Sequence, residues 1–311
     1  MGKDQSSSYH HIVQSLFVNF AISIAKGFVA ILTSSGAMLA ETIHSTADCF
    51  NQLLLLWGVK VSNAPTTDRY PFGKGRETYF WSFIVALLLF TGGGIFSIYE
   101  GFHKLSHPEP ITNLEWAIGV LFFALLLEGW STVSNIKEIN KRRGNLRFHH
   151  YLIETKDADL IVVFGENLAA TLGLLVGLLA VLMTIVTGNL TYDAFGTIVI
   201  GILLVTVAIF IGREVKSLII GEAADPALKE AVRQVIKIEP QVTAILNIVT
   251  LQQGPGQVVL HLKIEFSPEL NISEACKIIN RMEENIKKLR PEVRWCFVEP
   301  DILRLSVPQV A

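Results

Sequence analysis

Two residues four apart, His44 and Asp48, stand in a stretch otherwise apolar enough to cross a membrane, AETIHSTADCFNQLL. On a helix that spacing puts an imidazole nitrogen and a carboxylate on one face, one turn apart. So placed, both can grip one divalent cation, and this donor set suits zinc and other first-row metals. The same spacing also allows a hydrogen-bonded pair that only stabilises helix packing. A second carboxylate, Glu166, followed by Asn167, lies in another apolar run, VVFGENLAATLGLL. It can serve as a further ligand or as an interhelical hydrogen-bonded group. Ionisable groups inside a bilayer are costly and mark a bundle interior, a partner or a transport path. Gly165, Ala169, Ala170 and Gly173 surround Glu166 and permit close helix approach, which two helices sharing an ion require.

The remaining polar residues of the apolar runs have no partner fixed by spacing. Glu41 precedes His44 by one turn and is placed near the outer mouth. Asn19, Lys26, Asn51, Gln52, Glu128 and Glu214 read as supporting or packing groups, with Lys26 long enough to snorkel. The doublets His10–His11 and His149–His150 read as solvated, or as collectors of metal near an entrance. Cys49 is turned about 100° from Asp48 on a helix and reads as packed.

The elements that must position these groups follow from composition. Of 311 residues, 50% are hydrophobic and 17% charged, and the mean hydropathy is +0.44. Soluble domains carry about 25% charged residues. Residues 221–311 hold 23 of the 54 charged side chains, so a membrane-like part joins an ordinary soluble part near residue 220. A fully soluble enzyme, a secreted disulfide scaffold and a disordered chain are excluded. The net charge of −2 offers no basic surface for nucleic acid. Cys49, Cys276 and Cys296 are too few and too scattered for a disulfide framework or a thiolate zinc site.

Six runs can span a bilayer: 12–33, 39–61, 78–100, 114–136, 159–187 and 193–211. The connection between the second and third holds Arg69, Lys74 and Arg76. That between the fourth and fifth holds Lys137, Lys141, Arg142, Arg143, Arg147 and Lys156, whereas the opposite side has Lys104 alone. Nine basic residues against one place both termini and the tail in the cytoplasm. The N-terminus lacks an apolar stretch followed by a small-residue cleavage site, so residues 1–11 read as a retained cytoplasmic end. With no transit peptide recognised, a bacterial inner membrane is expected.

The tail, 221–311, predicts a helix over Ala227–Ile238 and strands at Ile245–Leu251 and Val258–Phe266 with the turn at Gly254–Gly256. In the second strand Leu260, Leu262, Ile264 and Phe266 alternate with His261, Lys263 and Glu265. Asn271 or Ser273 can cap a helix with Cys276, Ile279, Met282, Ile286 and Leu289 on one stripe. A last strand, Arg294–Val298, completes an α-β-β-α-β order with helices on one face of a small sheet.

The chain resembles the cation diffusion facilitator family of divalent metal transporters. The resemblance rests on six spans, a cytoplasmic tail, His44-x-x-x-Asp48 in the second span and the loop Asp68–Glu77 with Arg76 at its basic position. It implies an α-helical membrane domain of six helices, 12–220, and a cytoplasmic ferredoxin-like αββαβ dimerisation domain, 221–311. It also implies a homodimer that exchanges cytoplasmic metal for protons, with no bound cofactor and no enzymatic activity. The family's transport site usually takes two ligands from the second span and two from the fifth. Setting Glu166 at the carboxylate position puts Val162 at the other, and valine cannot bind metal. The implied site is His44, Asp48 and Glu166, completed by Asn167, water or another span. Glu in this region resembles the branch that includes the mitochondrial and nuclear-associated animal members. Zinc is the leading cargo, and manganese, iron(II) and cobalt stay open. The tail lacks the histidine cluster of some relatives: Phe297-Val298-Glu299 stands at its His-x-Asp, and His261 is the only histidine. Two other classes compete: a non-transporting membrane scaffold or regulator, and an intramembrane hydrolase, for which no HExxH or serine–base pattern exists.

Overall fold

The computed structural model describes residues 16, 20–33, 36–108 and 114–303. The chain is mostly helical, with a small sheet near the C-terminus. Among the described residues, four helical runs are long and apolar enough to cross a membrane: Glu77–Ser106, Ile118–Arg142, Leu160–Thr187 and Thr191–Ile220. Two further helices precede them. The first, α1, is described over Phe20–Thr33. The second, α2 (Gly36–Ser62), has 27 residues, long enough to span, but Glu41, His44, Asp48, Asn51 and Gln52 dilute its hydropathy. His10, His11 and Asn19 lie outside the described residues.

The chain folds as two compact units. One comprises Met1–Val61, Glu77–Ile153 and Asp157–Lys216. In it α3 (Glu77–Leu88), a π-helical segment (Leu89–Ile95) and α4 (Phe96–Ser106) continue one another. Glycine brings this run against α8 (Thr191–Ile220): a Cβ on Gly94 would lie 2.5 Å from Val205 Cγ2, and one on Gly101 would overlap Ile198. Lys104, half a turn before the end of α4, is buried with its Nζ 3.6 Å from Asp193 Oδ2 in the first turn of α8. The helices α5 (Leu114–Arg142) and α7 (Ala158–Thr187) pack along each other. Thr132 joins them, its Oγ1 2.7 Å from Thr171 Oγ1 and 2.9 Å from the Asn167 carbonyl. The short α6 (Phe148–Glu154) carries His149 and His150, both exposed and in edge contact. Asp157 caps α7 by accepting from Leu160 N at 3.1 Å, and Gly188, at φ 68°, ends it in the left-handed region.

The second unit comprises Ser62–Arg76, Glu154–Lys156 and Ser217–Ala311. Its elements run α9 (Pro226–Lys237), β1 (Val242–Gly254), β2 (Gln257–Phe266), α10 (Ile272–Leu289) and β3 (Val293–Pro300). The sheet order is β1-β2-β3, with β1 antiparallel and β3 parallel to β2. Period two puts Val258, Leu260, Leu262 and Ile264 on one face, where they share a core with Leu228, Val232 and Ile236 of α9 and Ile278, Met282 and Ile286 of α10. Truncating one of these aliphatic side chains to alanine costs about 2–5 kcal/mol. Asp225 caps α9 ahead of Pro226, and Asn271 with Glu274 forms a capping box on α10.

The stripe on α10 is not the one expected. Cys276 and Leu289 are exposed, and the buried residue one turn before Met282 is Ile278 rather than Ile279. Spacing of four from Ile286 through Met282 leads to 278, so the expected stripe was out of phase. The loop 62–76 packs within this unit: the Phe72 ring stands edge-on to Trp295 at 5.6 Å and to Phe297 at 6.3 Å.

Candidate functional site

One face of α2 carries Glu41, His44, Ser45, Asp48 and Asn51, at steps of three and four, so they form a single polar stripe. His44 is 1% exposed, and its Nδ1 lies 3.7 Å from Asp48 Oδ1. Among the described residues, neither ring nitrogen of His44 nor Asp48 Oδ1 has a hydrogen-bond partner, although all three atoms are buried. Buried polar atoms are normally hydrogen-bonded. Nitrogen and carboxylate oxygen left open side by side are what a divalent cation needs, and their chemistry fits zinc and its neighbours.

Glu166, from α7, faces this stripe and is buried. Its Oε1 accepts a short hydrogen bond from Asn51 Nδ2, which joins α7 to α2 three residues beyond Asp48. Asp48 and Glu128 of α5 are both near enough for their charges to act on Glu166. Val162, one turn before Glu166, is fully buried. Asn167 enters through its backbone, the carbonyl accepting from Thr132. Among the described residues no three His, Cys, Asp or Glu side chains converge closely enough to hold one ion in this conformation.

Asn51 within the stripe, and Lys26 and Glu128 beside it, read from spacing only as supporting or packing groups. Asn51 is fully buried and holds Glu166, and its spacing of seven from His44 was the available signal. Lys26 does not snorkel: it is buried, donates to Ser45 Oγ at 2.8 Å and pairs with Glu41 Oε2 at 3.4 Å. Glu128 lies within electrostatic reach of Lys26, Asp48 and His44. Cys49 is buried and lines an apolar cavity of about 500 Å³ with Phe20, Ser23 and Phe50. In the tail, His261 Nε2 lies 3.1 Å from Glu299 Oε2, and Lys263 Nζ lies 3.0 Å from Glu299 Oε1.

The sequence profile of the cation efflux transmembrane domain matches residues 12–220. Over 257 residues, 82% of its length, the chain is 30% identical to the mitochondrial proton-coupled zinc antiporter SLC30A9 of Xenopus laevis and 29% identical to that of Homo sapiens. It covers 46% and 45% of those two proteins. It is also 29% identical over 278 residues to metal tolerance protein C4 of Arabidopsis thaliana, covering 89% of this chain and 61% of that protein. The chain thus spans about half the length of the first two relatives.

Proposed function

Because the chain belongs to the cation diffusion facilitator, or cation efflux, family, we propose that it carries a divalent metal across a membrane in exchange for protons. Zinc is the first candidate, and export from the cytoplasm is the proposed direction. The observation that carries this reading is the set of buried donor atoms on α2, both ring nitrogens of His44 and Asp48 Oδ1, that have no hydrogen-bond partner among the described residues and are faced by Glu166 of α7. Relatives named as proton-coupled zinc antiporters support both the cargo and the coupling. With one imidazole and two carboxylates, manganese, iron(II) and cobalt remain admissible cargo.

In this mechanism a cytoplasm-facing state captures the ion on deprotonated Asp48 and Glu166 and neutral His44. Loading brings Glu166 to the ion with its Oε1 still held by the Asn51 amide, and so assembles donors that do not converge in the conformation described. Rearrangement exposes the site to the other side, where protons take the place of the metal on the same groups. No separate proton path is needed, since ligation requires deprotonated donors and protonation releases the ion. Asn167 or water completes the coordination where Val162 cannot.

The architecture proposed with it is six membrane-spanning helices, with both termini in the cytoplasm, and a ferredoxin-like tail that helps hold a homodimer. The membrane proposed is a bacterial inner membrane. A non-transporting scaffold or regulator is the second reading, favoured by fully buried Val162 where a ligand would stand. Zinc flux into proteoliposomes holding the purified chain, with an imposed proton gradient, separates the two. The transport reading expects saturable flux that collapses with the gradient and is abolished in Asp48→Ala. A wild-type chain that moves no divalent metal, or an Asp48→Ala chain that transports normally, refutes it.

A further inference from the structure

Leu121, Ala124, Glu128 and Thr132 follow one another along α5 at steps of three and four, so they share one face. Leu121 and Ala124 are buried in a core with Val29 of α1, Met38 of α2 and Leu174 of α7. Thr132 is buried against Thr171 and the Asn167 carbonyl of α7. Glu128, half-buried between them and the one charged residue of the four, is therefore held toward the interior where these helices meet. Its charge reaches His44 and Asp48 of α2 and Glu166 of α7.

Two needs coincide at this position. Zinc takes four donors, and His44, Asp48 and Glu166 supply three. Both ring nitrogens of His44 are buried without a hydrogen-bond partner among the described residues, so the imidazole within reach of Glu128 is open to an ion. Carboxylates in a bundle interior in turn require a compensating charge. Lys26 is within reach of Glu128, but its ammonium already pairs with Glu41 at 3.4 Å. Asp48, Glu128 and Glu166 exceed what one ammonium balances, and a dication offsets two of their three charges.

We propose that Glu128 is the fourth protein donor of the loaded site. Asn167 or water holds that place at capture, and Glu128 takes it as α2, α5 and α7 close on the ion. One imidazole and three carboxylates from three helices then surround the metal. So weighted toward oxygen, the site favours zinc over manganese less sharply than two histidines would. This deepens the metal-transport reading and rests on it.

The test is metal binding by the purified full chain in detergent at fixed pH, loaded with one zinc per chain. X-ray absorption at the zinc edge counts the imidazoles on the ion. Wild type is expected to show one and Glu128→His two, because a donor exchanged at a ligand position stays on the metal. Zinc bound to Glu128→His with a single imidazole overturns the proposal. Should Glu128→His fail to fold or to hold zinc, Glu128→Leu, which suits the apolar neighbours on α5, decides through the visible spectrum of cobalt(II) at saturation. Loss of a donor is expected to shift the cobalt bands and to weaken binding about 100-fold. A charge acting only through space would weaken binding and leave the bands in place, so unchanged bands overturn the proposal. A wild-type chain that binds no divalent metal refutes the transport reading and this inference together. Wild-type binding whose coordination neither variant alters refutes this inference alone.

Discussion

Glu166→Gln should cost metal affinity and transport while leaving the fold intact. The substitution is isosteric, and the glutamine oxygen can still accept from Asn51 Nδ2, which joins α2 to α7. What it removes is one negative charge facing Asp48 across the helix interface. Two unit charges about 4 Å apart at an effective dielectric of about 20 interact by about 4 kcal/mol, and a dication doubles this. Stripping water from the carboxylate and the ion returns several kcal/mol of that gain, leaving about 3 kcal/mol, or about 100-fold in affinity. Asn167→Ala should change affinity by less than about threefold, because water can take the coordination place its side chain leaves. Asn51→Ala should fall between, at about tenfold or somewhat more, because it frees Glu166 without removing a ligand. Zinc flux in proteoliposomes, with size-exclusion profiles as the folding control, orders the three variants. A silent Glu166→Gln beside a dead Asn167→Ala would show that position 167 rather than 166 faces the ion, and the argument from Val162 would fall with it.

Val162→His should add a second imidazole one turn from Glu166 and shift competition transport toward zinc over manganese; an unchanged ratio would mean that position 162 does not face the site. In a Cys276→Ser background, which removes the one exposed native thiol among the described residues, cysteine at Asn145 should label from the cytoplasmic side and cysteine at Ser106 from the other. Labelling of both from one side defeats the proposed orientation. In the tail, hydrogen bonds from Arg281 hold the Glu239 carboxyl below its ordinary range. That stabilisation is complete above the unfolded carboxylate value and is lost as the pH falls through the lowered one. Glu239→Gln should therefore lower the tail's melting temperature at pH 7 and converge with wild type in acid; a difference that grows in acid contradicts the pairing.

What could be read from the sequence follows from what periodicity fixes. A helical stripe fixes which residues share a face of their own helix, so His44 with Asp48 was legible, and Asn51 lay on the same stripe for anyone extending it by three. Periodicity does not fix how one helix is rotated against the next. Lys26 shows the difference: alone in an apolar helix it reads as a supporting, packing or snorkelling group, and its partners Glu41 and Ser45 stand on another helix, 15 and 19 residues away. Only packing decides that it faces them. Gly173 carries the same lesson in reverse, since the space it leaves has meaning only once Glu41 is known to lie against it. In the tail, strand alternation placed Leu260, Leu262 and Ile264 correctly because a period of two admits only two phases, one of which buries charge. The helix α10 admits more phases, and adjacent ones differ by about 100°. Cys276 and Ile279 are apolar enough to satisfy a wrong phase, and only the core formed by Ile278, Met282 and Ile286 selects the right one. The same freedom of rotation governs the site itself. Spacing alone allows Glu166 to face α2 or lipid, and its hydrogen bond from Asn51 is what reveals α7 turned with this carboxylate toward the polar stripe.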